Sequence, residues 1–94
     1  MTTGDDRTTA EDADISYPEL YQTLRRWRAA LAFKEQKGAY LILSNAALIA
    51  IVNALPTNMA ELKRVKGMGQ AKCAEYGTQL LEIVRDYVSE NADW

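Results

Sequence analysis

Between Leu62 and Gly77 the chain reads Leu-Lys-Arg-Val-Lys-Gly-Met-Gly-Gln-Ala-Lys-Cys-Ala-Glu-Tyr-Gly, and its centre, Gly67-Met68-Gly69, constrains the fold most. The segments on either side both read as helix, so this centre must be a tight helix-to-helix turn. Gly67 is predicted to end the first helix with φ > 0 at no Cβ penalty, and Gly69 to let backbone come close to another surface where the next helix starts. Met68 between them is expected to point inward. The amides from Gly67 to Gln70 then form a helix N-terminus that suits an anion, with Lys63, Arg64, Lys66 and Lys72 around it. A nucleic-acid phosphate is the anion this suggests; the competing reading is a turn that only joins two helices.

The global charge of −2 argues against such a partner until the charges are placed. Residues 1–16 hold Asp5, Asp6, Glu11, Asp12 and Asp14 against Arg7, and residues 86–94 hold Asp86, Glu90 and Asp93 with no base. Residues 17–85 carry ten Lys/Arg against five Asp/Glu, a net of +5. A basic middle thus lies between acidic ends. Ninety-four residues suffice for one domain with a modest core, and no long apolar run or signal-like N-terminus is present. With no histidine and the single Cys73, no zinc ligand set, disulfide or Cys/His nucleophile can be assembled. No constellation for catalysis is found, so neither an enzyme nor a cofactor or metal is expected.

Along the chain, residues 1–14 lack apolar periodicity and are expected to be a disordered acidic tail, which could compete with DNA for the basic middle. Ser16 and Glu19 have capping-box spacing, Pro18 suits a first turn, and Ile15 and Leu20 fit a hydrophobic staple. Leu20, Leu24, Trp27 and Leu31 then mark the core face of a helix running to about Lys37, which Gly38 stops. Tyr21, Arg25 and Arg28 line up beside that stripe, either as a strand-contacting flank or as a solvated edge. Ala39–Leu43 is expected to be an extended, buried connector. Ser44 caps a second helix whose Leu48, Ile49, Ile51, Val52 and Leu55 face inward until Pro56. Thr57 or Asn58 caps a third, with Glu61 completing a box and Leu62 and Val65 inside. A fourth helix is expected from Gly69 to Tyr76, with Gly77 in a left-handed C′ position, and a fifth from Thr78. Cys73, Tyr76, Tyr40 and Trp27 read as packing residues, and residues 91–94, ending in Trp94, as a frayed end. The fold class is all-α: a compact bundle of five short helices, in a domain over residues 15–90.

These pieces together resemble the HRDC domain, an accessory module beside the motors of RecQ-type and some UvrD-type helicases and beside the nuclease of RNase D. The resemblance covers nearly all of residues 17–88. Leu24-Arg25-Arg26-Trp27-Arg28 is like the family's first helix, and Tyr40-Leu41-Ile42-Leu43-Ser44-Asn45-Ala46-Ala47-Leu48 like its apolar connector and capped second helix. Pro56 preceding Glu61-Leu62, then Gly67-Met68-Gly69, Lys72 and Tyr76-Gly77, complete the pattern. Where many members have proline before the connector, this chain has Gln36-Lys37-Gly38-Ala39. Leu62 to Cys73 also looks like a helix-hairpin-helix. The resemblance implies an orthogonal, SAM-like helical bundle. It also implies an auxiliary domain of a DNA helicase or RNase D-like nuclease, meeting phosphates of single-stranded or structured DNA weakly and without sequence specificity. The rival reading is a protein-interaction module that meets the helicase core or an acidic partner. A monomer without membrane contact, cytoplasmic and nucleoid-associated if bacterial, is the accompanying expectation.

Overall fold

A computed structural model describes residues 15–91, so the expected acidic tail at 1–14 and Trp94 lie outside the described residues. Five helices follow one another: α1 Pro18–Glu35, α2 Ala39–Ile42, α3 Asn45–Ala54, α4 Met59–Lys63 and α5 Gln70–Asn91. No strand occurs among the described residues.

Pro18 opens α1, as its fixed φ and missing N–H allow. Tyr17, not Ser16, takes the N-cap position and makes no side-chain cap bond. The expected Ser16–Glu19 box is absent because the Ser16 amide instead donates to Asn53 Oδ1 at 2.9 Å. The far end stops at Glu35, two residues before the expected Lys37. Gln36 rather than Gly38 turns the chain, left-handed at φ 59° and ψ 46°. Its N–H donates to the Phe33 carbonyl at 3.2 Å and that of Lys37 to the Ala32 carbonyl at 3.0 Å, a Schellman closure.

The connector is not extended. Ala39–Ile42 makes one helical turn that buries Ile42, with Leu43 buried just beyond it, and leaves Tyr40 73% and Leu41 48% exposed. A short apolar run has no inherent period, and here the turn directs two of its side chains outward. The expectation that Tyr40 packs inside therefore fails. Ser44 does cap α3, its Oγ accepting from Ala47 N–H at 3.1 Å. Asn58 caps α4, Oδ1 accepting from Glu61 N–H at 2.9 Å, while Glu61 Oε1 accepts from the Thr57 amide at 2.8 Å. The box thus closes one residue upstream of its usual partner.

The largest difference lies at Gly77. The two helices expected on either side of it are one continuous 22-residue helix, α5. Gly77 is buried inside it, and Gly67 is the one described glycine with positive φ, at 93°. Five helices result all the same, because the connector supplied one and the break at Gly77 removed one.

The core is built where the apolar stripes meet. Leu20 and Leu24 of α1, Ile42 and Leu43, Leu48, Ile51 and Val52 of α3, Leu62 of α4, and Leu80 and Val84 of α5 are essentially inaccessible to solvent. Cys73, Met68 and Tyr76 join them as expected. Trp27 and Leu31 are only partly buried, Trp27 packing edge-on to Tyr76 and donating Nε1–H to Gln79 Oε1 at 2.7 Å.

Candidate nucleic-acid interface

The turn between α4 and α5 is closed by local bonds. Arg64 and Val65 amides donate to the carbonyls of Glu61 and Leu62, and Met68 N–H to that of Val65 at 3.0 Å. Met68 cannot offer its amide to a ligand, and its side chain is buried. Gly67 is required twice over. Its φ suits glycine, and a Cβ there would stand 2.9 Å from the Cβ and 3.3 Å from the Cα of Ala47, so the turn is pressed onto the first turn of α3.

Gly69 is different: a Cβ there would meet nothing within 4 Å. Its carbonyl accepts from Cys73 N–H at 3.0 Å and so starts α5. Among the described residues no backbone oxygen accepts from the amides of Gly69, Gln70, Ala71 or Lys72. Those four donors sit at the positive end of a long helix. Lys63, Arg64, Lys66, Gly69 and Gln70 are exposed around it. Lys72 is half-buried; its ammonium donates to the Leu41 carbonyl at 2.6 Å and lies 5.7 Å from the centre of the Tyr76 ring. Part of its role is to tie α5 to α2.

The first-helix flank divides. Arg25 is exposed, its guanidinium 5.7 Å from the Tyr21 ring centre. Tyr21 itself is 3% exposed, a core residue rather than a contact surface. Arg28, 8% exposed, donates from Nη1 to the Leu43 carbonyl and from Nη2 to Asn45 Oδ1, both at 2.8 Å. Burial first, then the neighbouring Arg25 charge, lowers its pKa from the usual range. It remains a cation, because an arginine stays protonated in proteins. Arg28 therefore holds the connector and α3, the surface on which Gly67 rests, from behind. The i+4 series Leu20, Leu24, Arg28 was the available signal: that spacing puts Arg28 on the buried row.

The structure also presents what the sequence reading passed over. Phe33, in the last turn of α1, is 87% exposed beside Lys34 and Lys37. Lys37 is paired with Glu35 at 3.3 Å, and that bond, then the Tyr76 phenol, raises its pKa. Burial and the charges of Glu75 and Glu35 raise that of Tyr76, with Lys37 opposing. Among the described residues no group of three or more acidic, cysteine or histidine side chains could hold a metal. No described helix is long and apolar enough to cross a membrane.

Residues 18–84 match the HRDC domain pattern. Over 78 residues, 83% of the chain, the sequence is 37% identical to the ATP-dependent DNA helicase UvrD2 of Mycobacterium tuberculosis, of which the match covers 11%. It is 30% identical over 69 residues to the ATP-dependent DNA helicase RecQ of Bacillus subtilis, covering 73% of this chain and 12% of that protein. Among solved structures, the third HRDC domain of D. radiodurans RecQ superposes with a TM-score of 0.70 at 29% identity, over 73% of this chain and 91% of the other. The chain thus spans about a tenth of the length of the curated relatives it matches.

Proposed function

We propose that this chain, which belongs to the HRDC domain family, serves a DNA helicase as an auxiliary nucleic-acid-binding module. An HRDC domain is an accessory unit and not itself catalytic. In this reading the ATP-driven motor named in the relatives lies elsewhere in a parent protein, and this domain holds the phosphate backbone of single-stranded or structured DNA without reading bases.

The observation that carries the reading is the start of α5. Four amides without a backbone acceptor, a glycine with open space before it, and exposed Lys63, Arg64 and Lys66 meet at one turn. A phosphate oxygen placed there would receive backbone N–H donors and the helix dipole together. Arg25 could supply a second, outlying contact along α1; Arg28 and Tyr21 support the fold instead.

The test is fluorescence anisotropy with labelled single-stranded and duplex DNA across a salt series. Changing Lys63 and Lys66 to Glu should weaken binding about equally for unrelated sequences. It should also flatten the plot of log affinity against log salt by roughly 0.7 to 0.9 per lost contact. If the unsubstituted chain binds neither DNA at low salt, the reading is overturned. The alternative is then a protein-interaction module, favoured by the exposed Tyr40 and Leu41 on the α2 turn, with the helicase core or an acidic protein as partner.

A further inference from the structure

We propose that the C-terminal end of α1 seats an unpaired nucleobase, with Phe33 as the stacking ring and Lys34 and Lys37 as partners for the flanking phosphates. This rests on the reading that the domain binds nucleic acid, and it adds a separate site with a preference for single strands.

The position of Phe33 is not what packing would produce. The buried row of α1 runs through Leu20, Leu24, Arg28 and Ala32, and Phe33 falls off it. At 87% exposure its ring is the most open large apolar side chain among the described residues. The left-handed Gln36 folds the chain back just beyond it, so that Phe33, Lys34, Gln36, Lys37 and Gly38 line one open depression of about 610 Å³. An exposed aromatic ring that shares a depression with two lysines is complementary to a single strand: every base has a π-face to stack, and its phosphates are anionic. Duplex DNA keeps its bases stacked inside and cannot use the ring.

Tyr76 links α1 to the hairpin. Trp27 of α1 packs edge-on to its ring at 5.9 Å, and Lys72, in the first turn of α5, stands over the same ring at 5.7 Å. A strand lying on the α5 N-terminus could therefore continue past Lys72 toward Lys37 and Phe33. The Glu35–Lys37 pair is exposed and contributes little, so a phosphate can replace the carboxylate.

The test compares a short oligothymidylate with an abasic strand of equal length, by anisotropy at low salt on the full chain. Phe33→Ala should bind the oligothymidylate about tenfold more weakly. Its affinity for the abasic strand should match that of the parent. Phe33→Trp should retain the parent's preference, and Phe33→Leu, which keeps apolar bulk without a ring face, should lose it. Lys34→Glu with Lys37→Glu should weaken both strands. If Phe33→Ala and Phe33→Leu bind oligothymidylate as the parent does while Lys63 and Lys66 changes weaken it, the seat is refuted and the phosphate reading stands. If the parent binds neither strand, both are refuted.

Discussion

A Cβ placed on Gly77 would stand 2.9 Å from both Sδ and Cε of Met59, so α4 crosses α5 over a residue that has no side chain. That crossing, not the end of a helix, explains the glycine.

Replacing Gly77 with Ala has two opposed effects. Helix propensity gains about 1 kcal/mol, and displacing the flexible end of Met59 costs a similar amount. The single variant should stay within about 0.5 kcal/mol of the parent in a denaturant titration. Once Met59→Ala has cleared the space, the same substitution should stabilise by about 1 kcal/mol. A Gly77→Ala effect equal in both backgrounds would show that Met59 does not limit the crossing.

Arg28, read from its sequence position as a strand-contacting flank or a solvated edge, is buried and holds the fold. Arg28→Ala removes both bonds to the connector and leaves the Leu43 carbonyl and Asn45 without their donors, at a cost of about 2 to 3 kcal/mol. Arg25→Ala, at an exposed site, should cost less than about 0.5 kcal/mol. Thermal melts of the two variants should differ accordingly. If Arg28→Ala melts with the parent, the guanidinium is not holding α3.

How far these residues could be read in advance depended on whether a local rule met a tertiary competitor. Ser44 and Asn58 cap their helices because a side-chain oxygen and an amide three residues on need nothing else. Leu48, Ile49, Ile51 and Val52 of α3 are buried because their spacing fixed a face. Gly77 was misread because a glycine after an aromatic looks the same whether it ends a helix or admits a neighbour, and Met59 decides between them from another element. The same applies to Ser16, whose amide is claimed by Asn53, 37 residues away. At the site, the glycine turn and exposed Lys63, Arg64 and Lys66 were legible. The half-buried tie of Lys72 to Leu41 and the exposure of Phe33 were not, since both depend on where α1, α2 and α5 come together.

Gln36 is the least comfortable residue in the backbone of α1's end. A non-glycine side chain in the left-handed region costs roughly 1 kcal/mol, offset here only by the two closing bonds. Gln36→Gly should therefore stabilise the domain by up to about 0.5 kcal/mol, net of the entropy glycine adds to the unfolded chain. Destabilisation in urea would mean the Gln36 side chain has a favourable role of its own.

The two glycines of the hairpin separate folding from binding, because one is spent on protein contact and the other is open. Gly67→Ala meets an unfavourable φ of 93° and the backbone of Ala47, neither of which can move cheaply, so it should cost more than about 2 kcal/mol. Gly69→Ala meets nothing within 4 Å and should leave the melting temperature nearly unchanged. The added methyl would nonetheless stand beside the α5 amides, where the proposed phosphate must approach. DNA affinity should then fall in Gly69→Ala while its stability holds, and the loss should be alike for single strands of unrelated sequence. If Gly69→Ala binds as the parent does while Lys63 and Lys66 substitutions weaken binding, phosphates meet the lysines alone and the helix end contributes nothing. Gly67→Ala cannot make that distinction, since it disturbs the packing on Ala47 beneath the site as well.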